Sequence, residues 1–198
     1  MDVRGGWRSW GRGWFGACLA LLAVLSFWCC ERQQGPSAPL ILNDFEGQSD
    51  LEQIAWRCRT TFSLSEKYRS HGHSGLLMTL YPDDYPGLHL LLTPRLQQWR
   101  GYRYLALDVF NPGSDPLVLH YRIDDYKDPE YEDRVNGSFR LEPGENSLRL
   151  DLDLIRTSGA KRPLDMDRIW ALMFFQVSPP KTLALGVDFV RLEKNTGE

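Results

Sequence analysis

Cysteine is scarce where a small exported domain would most use it. The chain has 198 residues and four cysteines, Cys18, Cys29, Cys30 and Cys58, of which only Cys58 lies beyond residue 30. No disulfide can staple the body, and no Cys/His spacing there suits a structural zinc site. Cys58 is expected to be a small buried residue. Positive charge is also in short supply. The formal net charge is −3, whereas a nucleic-acid binder needs a basic face against phosphate, so nucleic acid is excluded as a partner. A phosphate-binding Gly-rich loop, a dinucleotide fingerprint and a G-x-S-x-G elbow are all missing. With 42% apolar and 25% charged residues, the chain is neither disordered nor fibrous.

Residues 1–30 differ in material from the rest. They hold Arg4, Arg8 and Arg12 against Asp2, and four of the seven tryptophans. That leaves 20 bases and 25 acids in residues 31–198, a net charge of −5. Behind the arginines, residues 14–30 (WFGACLALLAVLSFWCC) carry no charge. A basic start followed by an apolar run is the form of a secretory signal or a membrane anchor. The run is near the minimum length for a spanning helix, and the preceding charge keeps the N-terminus inside and sends the body out. Export is therefore expected, to the periplasm or cell surface, through an N-terminal hydrophobic helix. Cleaved signal, uncleaved anchor and lipoprotein stay open. Cys29 and Cys30, at the membrane boundary, are lipidation candidates, although Phe27 and Trp28 do not make a lipobox. Residues 31–39 (ERQQGPSAP) form a short polar linker, and 194–198 a tail.

From residue 40 to 193 the pattern is that of an antiparallel β domain. Strands are expected at 40–46, 74–82, 102–111, 116–124, 137–143, 146–155, 168–177 and 183–193. Leu117, Leu119, Tyr121 and Ile123 make one apolar face, and Val118, His120, Arg122 and Asp124 the other. Leu148, Leu150, Leu152 and Leu154 alternate with Arg149, Asp151 and Asp153. Asn111-Pro112-Gly113, Asn136-Gly137 and Pro143-Gly144-Glu145-Asn146 supply the turns. A helical turn is expected near 50–56 or 164–167. Short strands at regular spacing with no long amphipathic helix predict an all-β, jelly-roll-like antiparallel β-sandwich.

Paired carboxylates, the requirement of a glycosidase, occur at Asp83-Asp84 and Asp124-Asp125. Adjacent acids on a loop are commonly turn residues, and this scaffold is small for hydrolysis, so hydrolase is kept only as a minor alternative and no catalytic residue is assigned. His71-Gly72-His73 offers half a metal site without a third ligand at useful spacing.

Six segments, in order, then carry a resemblance: NDFEG (43–47), SLSEKYRSHGHSGLLMTLYPDDYPGL (63–88), WRGYRYLALDVFNPG (99–113), RIDDYKDPEYEDRVNGSFRLEPGENSLRLDL (122–152), PLDMDRIWALMFF (163–175) and LALGVDFVRLE (183–193). Together they resemble the galactose-binding-like sandwiches, and are similar to family 11 carbohydrate-binding modules. The resemblance implies noncatalytic binding of a polysaccharide or glycan on a concave sheet face. There aromatic rings stack on sugar faces and polar groups take hydroxyls. The residues it designates are His120, Arg122, Asp124 and Tyr126, with Tyr81 and Tyr85 nearby. A competing reading makes Arg122, Asp125, Tyr131 and Arg134 a structural loop network, an Arg–carboxylate clamp. On this basis Tyr126 is expected to be exposed and Tyr131 buried. Trp170 and Phe174 are expected in the core. The same sandwich also resembles the complex I intermediate-associated proteins, which implies a membrane or envelope protein as the alternative partner. Many members of the fold hold a structural Ca²⁺. The matching residues are Glu46 and Asp188, with Asp44 as substitute and the turn at 69–74 as carbonyl donor, although Phe189 after Asp188 departs from the commoner pattern.

Overall fold

Eleven strands among the described residues are divided between two antiparallel sheets. The computed structural model describes residues 38–195 and Met1, in a chain that divides into units Met1–Pro36 and Ser37–Glu198. The apolar run at 14–30, with Cys29 and Cys30, lies outside the described residues, as does most of the linker. Among the described residues no helix is long and apolar enough to cross a membrane.

The first sheet contains β1 (Leu40–Asn43), β3 (Thr60–Ser65), β4 (Gly75–Leu80), β6 (Tyr104–Asn111), β9 (Gly144–Asp151) and β11 (Leu183–Glu193). Its order is β3-β4-β11-β6-β9, with β1 paired to the second half of β11. The second sheet contains β2 (Ile54–Arg57), β5 (Gly87–Leu91), β7 (Leu117–Asp124), β8 (Val135–Leu141) and β10 (Ala171–Phe175), in the order β2-β5-β10-β7-β8. One short helix, α1 (Gln48–Leu51), links β1 to β2.

Period-two alternation drives the stacking of the sheets. Leu76, Met78, Leu80, Leu105, Leu107, Val109, Leu185 and Val187 face inward from the first sheet, and Leu88, Leu90, Leu119, Ile123, Leu172 and Phe174 from the second; all are buried. Each buried side chain of this kind contributes about 1.5–3 kcal/mol. In β11 the inward set changes phase, from Leu185 and Val187 to Val190 and Leu192. A bulge between Asp188 and Arg191, with Phe189 at φ 48°, makes the shift. Asp188, next to inward Val187, faces the outer side by alternation, and the extra residue after it returns Val190 to the core.

Several expected elements change. The helix near 50–56 is one turn, Gln48–Leu51, and Ile54–Arg57 is a strand on the sheet edge. At 164–167 the chain only turns. Strand β9 ends at Asp151, so Leu154 lies on the following turn and is exposed rather than facing the core. Trp170 precedes β10 and is 42% exposed, whereas Phe174 is in the core as expected.

A cleft on the outer face of the second sheet

The register places one residue of each strand side by side on the sheet's outer face. Gly87, Phe175, His120 and Ser138 form one row, and His89, Met173, Arg122 and Asn136 the next. Over this floor opens a cleft of about 380 Å³, lined by Cys58, Tyr85, Gly87, Leu88, Arg122, Tyr131, Arg134, Asn136, Met173 and Phe175. The volume is in the range of ligand clefts, about 300–1,000 Å³, and the mixture of apolar floor and few polar groups is typical of them. Gly87 keeps the floor open: a Cβ there would come within 2.5 Å of the Phe175 Cβ.

Two tyrosines stand over the floor. Tyr85 is 57% exposed, on the loop entering β5, and meets Phe175 edge-on at 6.0 Å between ring centroids. Tyr131 is 65% exposed, on the 3-10 turn Tyr131–Asp133 before β8. Because β5 and β8 lie on opposite sides of β10, the rings come from opposite sides of the floor. The expected burial of Tyr131 is therefore overturned.

Arg122 donates from Nε and Nη2 to the Asp124 carboxylate, at 2.8 and 2.6 Å, and Asp124 is only 1% exposed. Asp124 thus serves as the buried counter-charge of Arg122 and does not reach the cleft. His120 stacks on Phe175 at 5.6 Å, beside the lining rather than in it. Tyr81 is half-buried beside Arg59, also away from the lining. Cys58, expected to be buried, is partly exposed in the cleft wall, at φ 49°.

A clamp of the expected chemistry exists, built on a different arginine. Arg162 bonds both oxygens of Asp125, at 2.5 and 2.9 Å, and reaches Asp133 Oδ1 through Nε at 3.0 Å. Asp125 also accepts the Asp165 amide, and Tyr126 donates its hydroxyl to Asp133. Tyr126, at the edge of exposure, is tied into this clamp and does not line the cleft. Neither Arg122 nor Arg134 contacts Asp125 in it; Arg134 donates from Nε to the Pro129 carbonyl at 2.8 Å. The amides of Ser158, Gly159 and Ala160 bond the carbonyls of Arg134 and Glu132. Together these contacts hold the turn that carries Tyr131.

On the first sheet, Glu46 and Asp188 do converge on the turn at 69–74. That turn offers N–H groups rather than carbonyls. His73 and Ser74 amides donate to Glu46 at 2.8 and 3.0 Å, and Ser70 and His71 amides to Asp188 at 2.6 and 2.9 Å. The His73 and Ser74 amides hold the Glu46 carboxyl below its ordinary range, while burial pushes Asp188 up. Asp44 stands 3.7 Å from His71 Nδ1. Among the described residues no group of three or more His, Cys, Asp or Glu is arranged to hold a metal. Carboxylates already capped by amide hydrogens do not fit Ca²⁺, which takes oxygen ligands. The melting temperature should accordingly be the same with Ca²⁺ and with EDTA. A melt raised by Ca²⁺, with Asp188→Ala abolishing the effect, would put an ion there.

No family model matches the sequence, and no curated protein is significantly similar to it. Solved structures are. A family 11 carbohydrate-binding module from Clostridium thermocellum, in complex with a β-1,3-1,4-mixed-linked tetrasaccharide, is 16% identical with a TM-score of 0.62, covering 79% of this chain and 95% of its own. A xylan-binding domain of family 22 is 13% identical with a TM-score of 0.53, covering 84% and 99%. An exo-β-agarase is matched over only 25% of its chain, with 80% of this one, at 15% identity and a TM-score of 0.61. Binding modules and parts of hydrolases thus share the architecture. Residues 38–195 have the two-sheet fold of the family 11 carbohydrate-binding modules.

Proposed function

We propose that this protein is a noncatalytic carbohydrate-binding domain, exported and held at the cell envelope by its N-terminal segment. The observation that carries the reading is the pair of exposed rings, Tyr85 and Tyr131, over a floor of Met173 and Phe175 with Arg122 and Asn136 beside them. A pyranose has apolar faces and a polar rim. Rings and apolar floor suit the faces; guanidinium and amide groups suit the hydroxyls. In this reading Arg122 and Tyr85 contact the sugar directly, while Asp124 holds Arg122 in place and His120 stacks on Phe175 from the same strand.

Binding without catalysis is favoured by the lining. No carboxylate stands among the ten residues of the cleft wall, and glycoside hydrolysis uses two, flanking the scissile bond. Export is supported by the uncharged run at 14–30 behind three arginines. Affinity electrophoresis of the full chain in gels containing mixed-linkage glucan, xylan, agarose and acidic polysaccharides tests the reading. Retardation by at least one polysaccharide, with no release of reducing ends, is expected. Migration unchanged in every gel would overturn saccharide binding, and reducing ends would overturn the noncatalytic part.

A further inference from the structure

We infer that the saccharide taken by this cleft is acidic, and that Arg134 pairs with a uronate carboxylate on it; the inference rests on the carbohydrate reading above. Two arginines line the cleft, and their charges are in different states. Arg122 is neutralised by Asp124, through two hydrogen bonds to a buried carboxylate on the same face of the strand. Arg134 is half-buried and has no carboxylate partner among the described residues. Its side-chain hydrogen bond, Nε to the Pro129 carbonyl, satisfies a donor and fixes the side chain. It does not balance the charge, and both Nη groups remain for a ligand.

A guanidinium in an apolar-floored cleft acts on a charge more strongly than it would in water. Its fork matches the two oxygens of a carboxylate. A neutral sugar would offer it hydroxyls alone. Asn136 adds the complementary function: its Nδ2 is committed to Ser158 Oγ at 2.9 Å, which leaves the amide oxygen to accept from a sugar hydroxyl. The loops bearing the two tyrosines also carry exposed acids, Asp83 and Asp84 on one, Glu130 and Glu132 on the other. These lie outside the lining, and act within a Debye length of about 8 Å at physiological salt. One cation inside an acidic rim suits a chain with isolated uronates, and disfavours a dense polyanion.

The test is calorimetric titration of the full chain with a xylo-oligosaccharide bearing one glucuronate and with a cellobiuronate-type oligosaccharide. Each is paired with its own methyl ester, and a neutral mixed-linkage tetrasaccharide completes the set. One acid should bind about tenfold or more tighter than its ester. Arg134→Gln should bring the ratio of acid to ester affinity close to one, whatever general loss follows from releasing the Pro129 carbonyl; Arg134→Lys, keeping charge without the fork, should give an intermediate ratio. The wild-type ratio of acid to ester carries the test even if a variant melts early. Equal binding of acid and ester, or equal loss of both in Arg134→Gln, would overturn the inference while the carbohydrate reading stands. Binding to none of the five saccharides would overturn both.

Discussion

Truncating Arg162 to alanine should lower the unfolding free energy by about 2–4 kcal/mol, toward the lower end of what breaking a buried ion pair costs because the arginine is partly exposed. The reason is what stays behind. Asp125 is 2% exposed and would lose both guanidinium bonds, keeping only the Asp165 amide. A stranded carboxylate costs more than the pair is worth. Adding Asp125→Asn to Arg162→Ala should therefore restore part of the stability, and urea unfolding of the two variants measures it. A loss below about 0.5 kcal/mol in the single variant would mean that solvent already screens the pair.

The same clamp sets an acid limit. Burial raises the Asp125 pKa, but the Arg162 and Asp165 bonds outweigh it, and the group lies below its ordinary value of 3.8. Asp133, bonded by Arg162 and Tyr126, also lies below 3.8. Groups with lowered folded pKa values contribute stability in full above the unfolded value and lose it as pH falls through the folded one. Stability should thus decline below about pH 4, and the decline should be shallower in Arg162→Ala. An unchanged acid limb in the variant would assign it to other carboxylates.

Removing both cleft rings should weaken saccharide binding roughly 5- to 150-fold, taking about 0.5–1.5 kcal/mol for each aromatic contact. The Tyr85→Ala/Tyr131→Ala variant should melt with the parent, because both rings are more than half exposed and neither hydroxyl holds a structural bond in the clamp. Tyr126→Ala should behave in the opposite way. Its hydroxyl bonds Asp133 and its ring lies 5.8 Å from the Arg162 guanidinium, so its removal loosens the seat of Tyr131 and should show in the melt. Titrations and melts of these variants separate the two roles. A double variant that binds like the parent would remove the rings from the site.

Much of the fold is legible in the sequence because one-sided strands advertise themselves. Strand β7 alternates Leu119, Tyr121 and Ile123 against His120 and Arg122, and the structure divides them between core and outer face in that way. Strand β5 is harder to see. Gly87–Leu91 has apolar residues at both parities, lies between prolines, and is too short to declare a period. Strands β2 and β3 are hidden by the tight link through Cys58, whose positive φ is unusual outside glycine.

The site is legible only in part. Arg122, Asp124 and His120 share a face by alternation alone. The loop at 125–134 is different, since alternation says nothing about which of two tyrosines turns inward. Arg162 decides it, and lies almost thirty residues further along the chain from Asp133. One signal for the cleft floor was present: β10 is apolar on both faces. Phe174 and Leu172 fill the core, and Met173 and Phe175 fill the opposite face, which is the floor rather than a second core.

Amide chemical-shift mapping tests most directly whether saccharide binds in the cleft over the second sheet. During titration of the full chain with a saccharide that retards it, shifts should concentrate on Tyr85, Gly87, Arg122, Tyr131, Arg134, Asn136, Met173 and Phe175. Shifts confined to the outer face of the first sheet, around Tyr104, Arg149 and Glu193, would contradict the assignment.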